Sequence, residues 1–135
     1  MDGRSTNALT TLCSTVAQRA IAILHEVQLL IEPLGSGLDK LEALLELNTS
    51  LEELKVQASQ LDASLAASTV SMAAHDAFKQ HLTNCDGIMA VLYKQILRLQ
   101  ADNVETINGE FLAVYDQTVK ANSQLLNGFL QVVAA

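Results

Sequence analysis

Leu44, Leu47, Leu51, Leu54, Ala58, Leu61 and Leu65 follow one another in strictly alternating steps of three and four. A strand would repeat every second residue, and an isolated surface helix would not hold so narrow a stripe. The pattern is the a/d seam of a helix packed against other helices, sustained for about three heptads. Ser50-Leu51-Glu52-Glu53 also reads as a capping box at which a helix could restart. The seam keeps its phase through that point, so the spacing predicts one helix over 38–65.

Helical periodicity extends on both sides. Leu9, Leu12, Val16, Ala20, Ile23, Val27, Leu30 and Leu34 predict a helix over 5–33. Ser5, Thr6 or Asn7 caps its start, and Pro33 and Gly35, then Ser36-Gly37, punctuate its end. The small-residue stretch from Ala66 to Ala74 reads as a loop. Phe78, Leu82, Cys85, Met89, Leu92, Ile96 and Leu99 then predict a helix over 75–100. Gly87 lies inside it at a cost of about 1 kcal/mol relative to alanine, where it would let a neighbouring helix approach closely.

Asp102-Asn103-Val104-Glu105 reads as a further cap, opening a fourth helix over 103–133. Its seam is read as Val104, Ile107, Phe111, Val114, Thr118, Leu125, Phe129 and Val132. Without Pro or Gly near Asp102, one long rod over the last two segments is the alternative; its length argues for the break. Thr118, Asn122 and Asn127 lie on or beside the apolar face of this helix, and Gly109 and Gly128 interrupt it. Such a seam is the edge of the buried stripe, a partner surface, or part of a helix that can detach.

Four segments with short connections give an all-α, up-down-up-down bundle in one domain over 1–135. Composition agrees: half the residues are apolar, 17% are charged and 4% aromatic, with no Trp and one Pro. That suits helices of Leu, Ala, Val and Ile better than a sandwich or barrel. The core and interaction seams rest on Leu44, Leu47, Leu51, Leu54, Leu61, Phe78, Leu82, Cys85, Met89, Leu92, Ile96, Phe111, Leu125 and Phe129.

The formal net charge of -7 opposes nucleic acid and anionic lipid. The basic residues stand singly; Lys94 and Arg98 are the one helix-spaced pair and read as a solvated face. Cys13 and Cys85 fall in apolar helical patterns and read as structural thiols in a reduced compartment. No stretch resembles a targeting signal. The most apolar one, Ala20 to Leu34, is interrupted by His25, Glu26 and Glu32, so the chain is expected in the cytoplasm.

Chemistry-bearing motifs are missing. His25, His75 and His81 lack the spacing of three or four that puts two rings on one helix face, and they read as surface histidines. No glutamate stands three before a histidine, as a di-iron bundle needs. No nucleophile elbow occurs, and Gly35-Ser36-Gly37 is a helix connection lacking the lysine of a phosphate cradle. The expectation is therefore no catalytic, cofactor-binding or metal residue, no cofactor, and no enzyme.

The order of features resembles the N-terminal helical domain of fungal STAND proteins. These are NLR-like receptors bearing NACHT or ankyrin regions, and the domain also occurs in a protein of azaphilone pigment clusters. The resemblance lies in the small-residue first helix (Leu9 to Leu34) and the segment Leu38-Asp39-Lys40-Leu41-Glu42-Ala43-Leu44-Leu45. It continues through Leu82-Thr83-Asn84-Cys85, Ile96-Leu97-Arg98-Leu99 and the last helix, Ser123-Gln124-Leu125-Leu126-Asn127-Gly128-Phe129-Leu130-Gln131-Val132. It covers nearly the whole chain and implies a non-enzymatic signalling bundle; for some relatives it implies membrane action.

Three functional expectations follow. The first is a module that binds a protein partner or itself through its helix faces. The second is a cell-death effector that engages membrane through its first helix, which the acidic charge opposes. The third is a small-ligand carrier with a cavity between its helices.

Overall fold

The computed structural model describes residues 3–4, 7–34, 38–67, 70–101 and 109–134. They form four helices: α1 (Asn7–Leu34), α2 (Leu38–Ala66), α3 (Met72–Ala101) and α4 (Gly109–Ala134). Two short strands, β1 (Gly3–Arg4) and β2 (Val70–Ser71), pair antiparallel with Gly3 opposite Ser71. The fold is an all-α helical bundle, with this small ladder as an addition that the periodicity did not foretell.

Directions follow from cross-helix neighbours. At one end of the first hairpin Thr10 and Ser14 share a cleft with Asp62; toward the other, Gln28 donates a 2.9 Å hydrogen bond to Asn48, so α1 and α2 are antiparallel. Phe78 meets Phe129 with ring centroids 4.3 Å apart, and Val91 shares a groove with Tyr115, so α3 and α4 are antiparallel too. The ladder joins the chain just before α1 to the chain just before α3, and Arg19 pairs with Asp86, so α1 and α3 run in the same direction. The helices alternate up and down, but they are not neighbours in chain order. α1 packs on both α2 and α3, α2 packs on α4, and α3 meets α4 only thinly. The second hairpin is stacked on the first, parallel on parallel.

This arrangement explains the burial pattern. α1 lies between two helices, so its buried face is wider than one seam. Cys13, Ala17 and Leu24 join Leu9, Val16, Ala20, Ile23, Val27 and Leu30 inside. Leu44, Leu47, Leu51, Leu54, Ala58, Leu61 and Leu65 of α2 are all fully buried; each leucine removed from water contributes about 2 kcal/mol. On α3, Phe78, Leu82, Cys85, Met89, Leu92 and Ile96 are buried, and Leu99 is partly so.

Element boundaries differ from expectation for local reasons. α2 is continuous through the suspected capping box, because the Ser50 hydroxyl donates to Asp116 of α4 instead of capping a restart. α3 begins at Met72, inside the stretch read as loop: Ser71 Oγ accepts a 3.1 Å bond from the Ala74 amide, an N-cap at the third helical position. α1 continues through Pro33 to Leu34. The caps expected at Ser5 and Thr6 and at Asp102 to Glu105, the turn at Gly35 to Gly37, and the seam positions Val104 and Ile107 lie outside the described residues.

Candidate interaction surface

The fourth helix departs most from expectation, and its departure shapes the surface. The seam on α4 is Leu112, Asp116, Val119, Ser123, Leu126 and Phe129, not the one read from its apolar residues. Phe111 is half-buried at the rim, edge-on to Tyr115 at 4.7 Å. Thr118 and Leu125 are also intermediate, whereas Val114 is 62% exposed and Val132 faces outward. Two of the six buried positions are polar. Those two hide the true phase, because the next face over carries more apolar residues.

Asp116 is satisfied within the bundle. Asp116, 4% exposed, accepts the Ser50 hydroxyl across the α2–α4 contact and pairs with Lys120 Nζ at 3.0 Å one turn along its own helix. The Asp116 hydrogen bond and charge, aided by Glu46 and Glu53, raise the Lys120 ammonium above the ordinary lysine range. A groove of 280 Å³ lined by Leu45, Glu46, Thr49, Ser50, Glu53 and Lys120 opens beside this cluster. The Ser50 proton is committed to a carboxylate that a lysine already neutralises, so the trio lacks a free base to activate a nucleophile. Thr118 and Asn122 donate to the carbonyls of Val114 and Thr118, which closes their polar groups on their own helix.

The thiols are buried and unpaired. Burial pushes Cys13 up to about 12, with Asp62 and then Cys85 adding to it; burial, then Asp86, pushes Cys85 up to about 12. Both are kept as neutral apolar groups in the core. The histidines divide: His25 is exposed and His81 intermediate, beside Phe129 at 5.7 Å. His75, read as a surface residue, is only 5% exposed. Its Nδ1 lies 3.5 Å from Asp76 Oδ1, near enough for charge attraction, yet it makes no hydrogen bond among the described residues. The earlier start of α3 places it within the first turns of that helix, against the core. Among the described residues no group of three His, Cys, Asp or Glu could hold a metal ion.

The outer faces are more distinctive. Ile21 and Leu29 on α1, Leu45 and Val56 on α2, Met72, Val91 and Leu97 on α3, and Val114 and Val132 on α4 stand in solvent. Where α3 and α4 part, Thr83, Asn84, Gly87, Ile88, Val91 and Tyr115 line an open groove of 620 Å³. Gly87 was expected to admit a neighbouring helix. Among the described residues none comes near: a Cβ built there meets nothing within 4 Å.

Of the expected seam residues, the structure gathers Leu44, Leu47, Leu51, Leu54, Leu61, Phe78, Leu82, Cys85, Met89, Leu92, Ile96 and Phe129 into one core, with Leu125 partly buried against it. They hold the fold and are not available at the surface. Sequence reasoning missed Asp116, a polar residue at a seam position of α4, and Ser50, which is buried beside the apolar seam of α2. No family model matches the chain, and no curated protein or solved structure matches it either.

Proposed function

We propose that this chain is a non-enzymatic interaction module that binds a protein partner, or itself, through the outer faces of its helices. The observation that carries this reading is the set of large apolar side chains left outside a core that is already complete, together with the groove between α3 and α4. Scattered exposed apolar residues are ordinary. Here one helix, α3, combines an exposed valine with a groove wall and a glycine that its own fold does not need. The resemblance to the N-terminal helical domain of fungal NLR-like receptors supports a signalling role of this kind. The test is cross-linking of the purified chain in its native extract, read by mass spectrometry, beside its sedimentation behaviour. A chain that stays strictly monomeric and retrieves no specific partner rules this reading out.

A membrane-acting role ranks second, on one observation: α1 keeps Ile21 and Leu29 on its outer side. No described helix is long and apolar enough to cross a membrane, so this role would use α1 lying at the surface of a bilayer. Dye leakage from liposomes that is lost when residues up to Leu34 are removed would bring it forward. No leakage at micromolar protein would leave the interaction module alone.

A further inference from the structure

We propose that the outer stripe of α3 is a self-complementary interface, through which two copies of this chain pair with their α3 helices antiparallel and crossing at Gly87; this rests on the interaction-module reading above.

α3 carries two seams. The first is buried in the bundle. The second consists of Asp76, Gln80, Thr83, Gly87, Val91, Lys94 and Arg98, every one exposed. It follows the same steps of three and four, which puts the residues on one line along the helix. The spacing is also symmetric, because the steps read the same outward from Gly87 in both directions.

That symmetry matters because a two-fold interface places each residue opposite a fixed partner and the reverse pair at the mirror position. With the crossing at Gly87, Asp76 faces Arg98, Gln80 faces Lys94, Thr83 faces Val91, and glycine faces glycine. Asp76 and Arg98 each stand eleven residues from Gly87, so the two acid–base pairs lie about 16 Å to either side of the crossing. No like charges are opposed. The stripe holds one acidic and two basic residues, so this face is locally basic on a chain whose net charge of -7 otherwise resists self-association.

Gly87 gives the second argument. Glycine is among the poorest helix formers, and nothing in the packing of the described residues requires it, since a Cβ at that position meets open space. A glycine at a crossing lets two helix backbones approach closely. Val91, 51% exposed, then reaches the groove beside the partner's Thr83 and Tyr115. One helix pair and its rims make a small interface, so the dimer is weak and depends on concentration.

The experiment is sedimentation equilibrium of the full chain over a concentration series, with charge-swap variants. Arg98→Asp and Asp76→Arg should each weaken dimerisation roughly tenfold or more, because each opposes like charges. The double variant, with both changes, should restore it. Gly87→Leu should abolish the dimer while its thermal midpoint stays at or above that of the native chain, which shows the monomer to be intact. A dimer indifferent to Gly87→Leu, or a double swap that fails to restore association, overturns the proposal. So does a native chain that remains monomeric up to millimolar concentration. A monomer that still cross-links to a different protein in extract overturns self-pairing and leaves the interaction module standing; a monomer that retrieves nothing overturns both.

Discussion

α2 and α4 lie side by side in the same direction, one with an unbroken apolar seam and the other with a carboxylate in its seam. Seven consecutive seam positions of α2 are apolar and fully buried. The seam of α4 alternates Leu112, Val119, Leu126 and Phe129 with Asp116 and Ser123. An apolar seam gains from every residue removed from water and is indifferent to small rotations. A seam with a buried carboxylate gains less, since a desolvated charge is stable only while its partners are in place. In return it admits one register, the one that sets Asp116 against Ser50. α2 thus contributes most to stability, and α4 contributes alignment.

This contrast can be broken. The largest effect is expected from Leu54→Ala, which opens a cavity in the fully buried seam and should cost about 2–5 kcal/mol in urea denaturation. Asp116→Ala comes next, at about 1–3 kcal/mol, because it orphans the Ser50 hydroxyl in the α2–α4 contact. The contrast should vanish in the double variant Ser50→Ala with Asp116→Leu. Two apolar groups in place of the pair should bring stability within about 1 kcal/mol of the native chain or above it. Hydrogen exchange would then show α4 amides protected like those of α2. A double variant weaker than Asp116→Ala alone would mean that the pair holds the register on which the rest of α4 depends.

Alkaline pH sharpens the contrast from the other side, through α1 and α3. Cys13 and Cys85 ionise near pH 9 when unfolded and at about 12 when folded. Between these values the unfolded chain holds fewer protons, so stability is complete below pH 9 and falls as pH rises toward 12. Thermal midpoints across that window should decline in the native chain and stay flatter in Cys13→Ala with Cys85→Ala. The smallest effect belongs to Lys55→Met. Its ion pair with Glu52, one turn along α2, lies largely toward solvent, and its removal should leave the denaturation midpoint nearly unmoved.

The same contrast explains what the sequence disclosed. Leu44 to Leu65 could be read residue by residue because every seam position was apolar. On α4 the reading slid onto Phe111, Val114 and Thr118, since a buried aspartate violates the rule by which seams are recognised. His75 is misplaced because the periodicity starts the helix at 75, three residues late, and Ser71, a cap, looks like any loop serine. The ladder of Gly3–Arg4 with Val70–Ser71 left no trace, as two-residue strands have no period. Periodicity also carries no information on which helix neighbours which. The α3 stripe was visible only as Lys94 and Arg98, and it took the placement of Gly87 in open space to give the pair a context.

The stacking of one hairpin on the other bears on how the chain assembles. Among the described residues, Arg19 to Asp86 and Ser50 to Asp116 tie the first hairpin to the second across 67 and 66 residues, whereas α1 and α2 pack on each other through contacts closer in sequence. Short loops close quickly and distant contacts slowly. The first hairpin can therefore form early on its own, whereas α3 and α4, which barely touch each other, gain their packing only by docking on α1 and α2, and that docking in a single register is the slow step. The strand before α1, Arg19 and Ser50 are the parts of the first hairpin that wait for the second, and a ribosome releases them in that order, well before their partners exist.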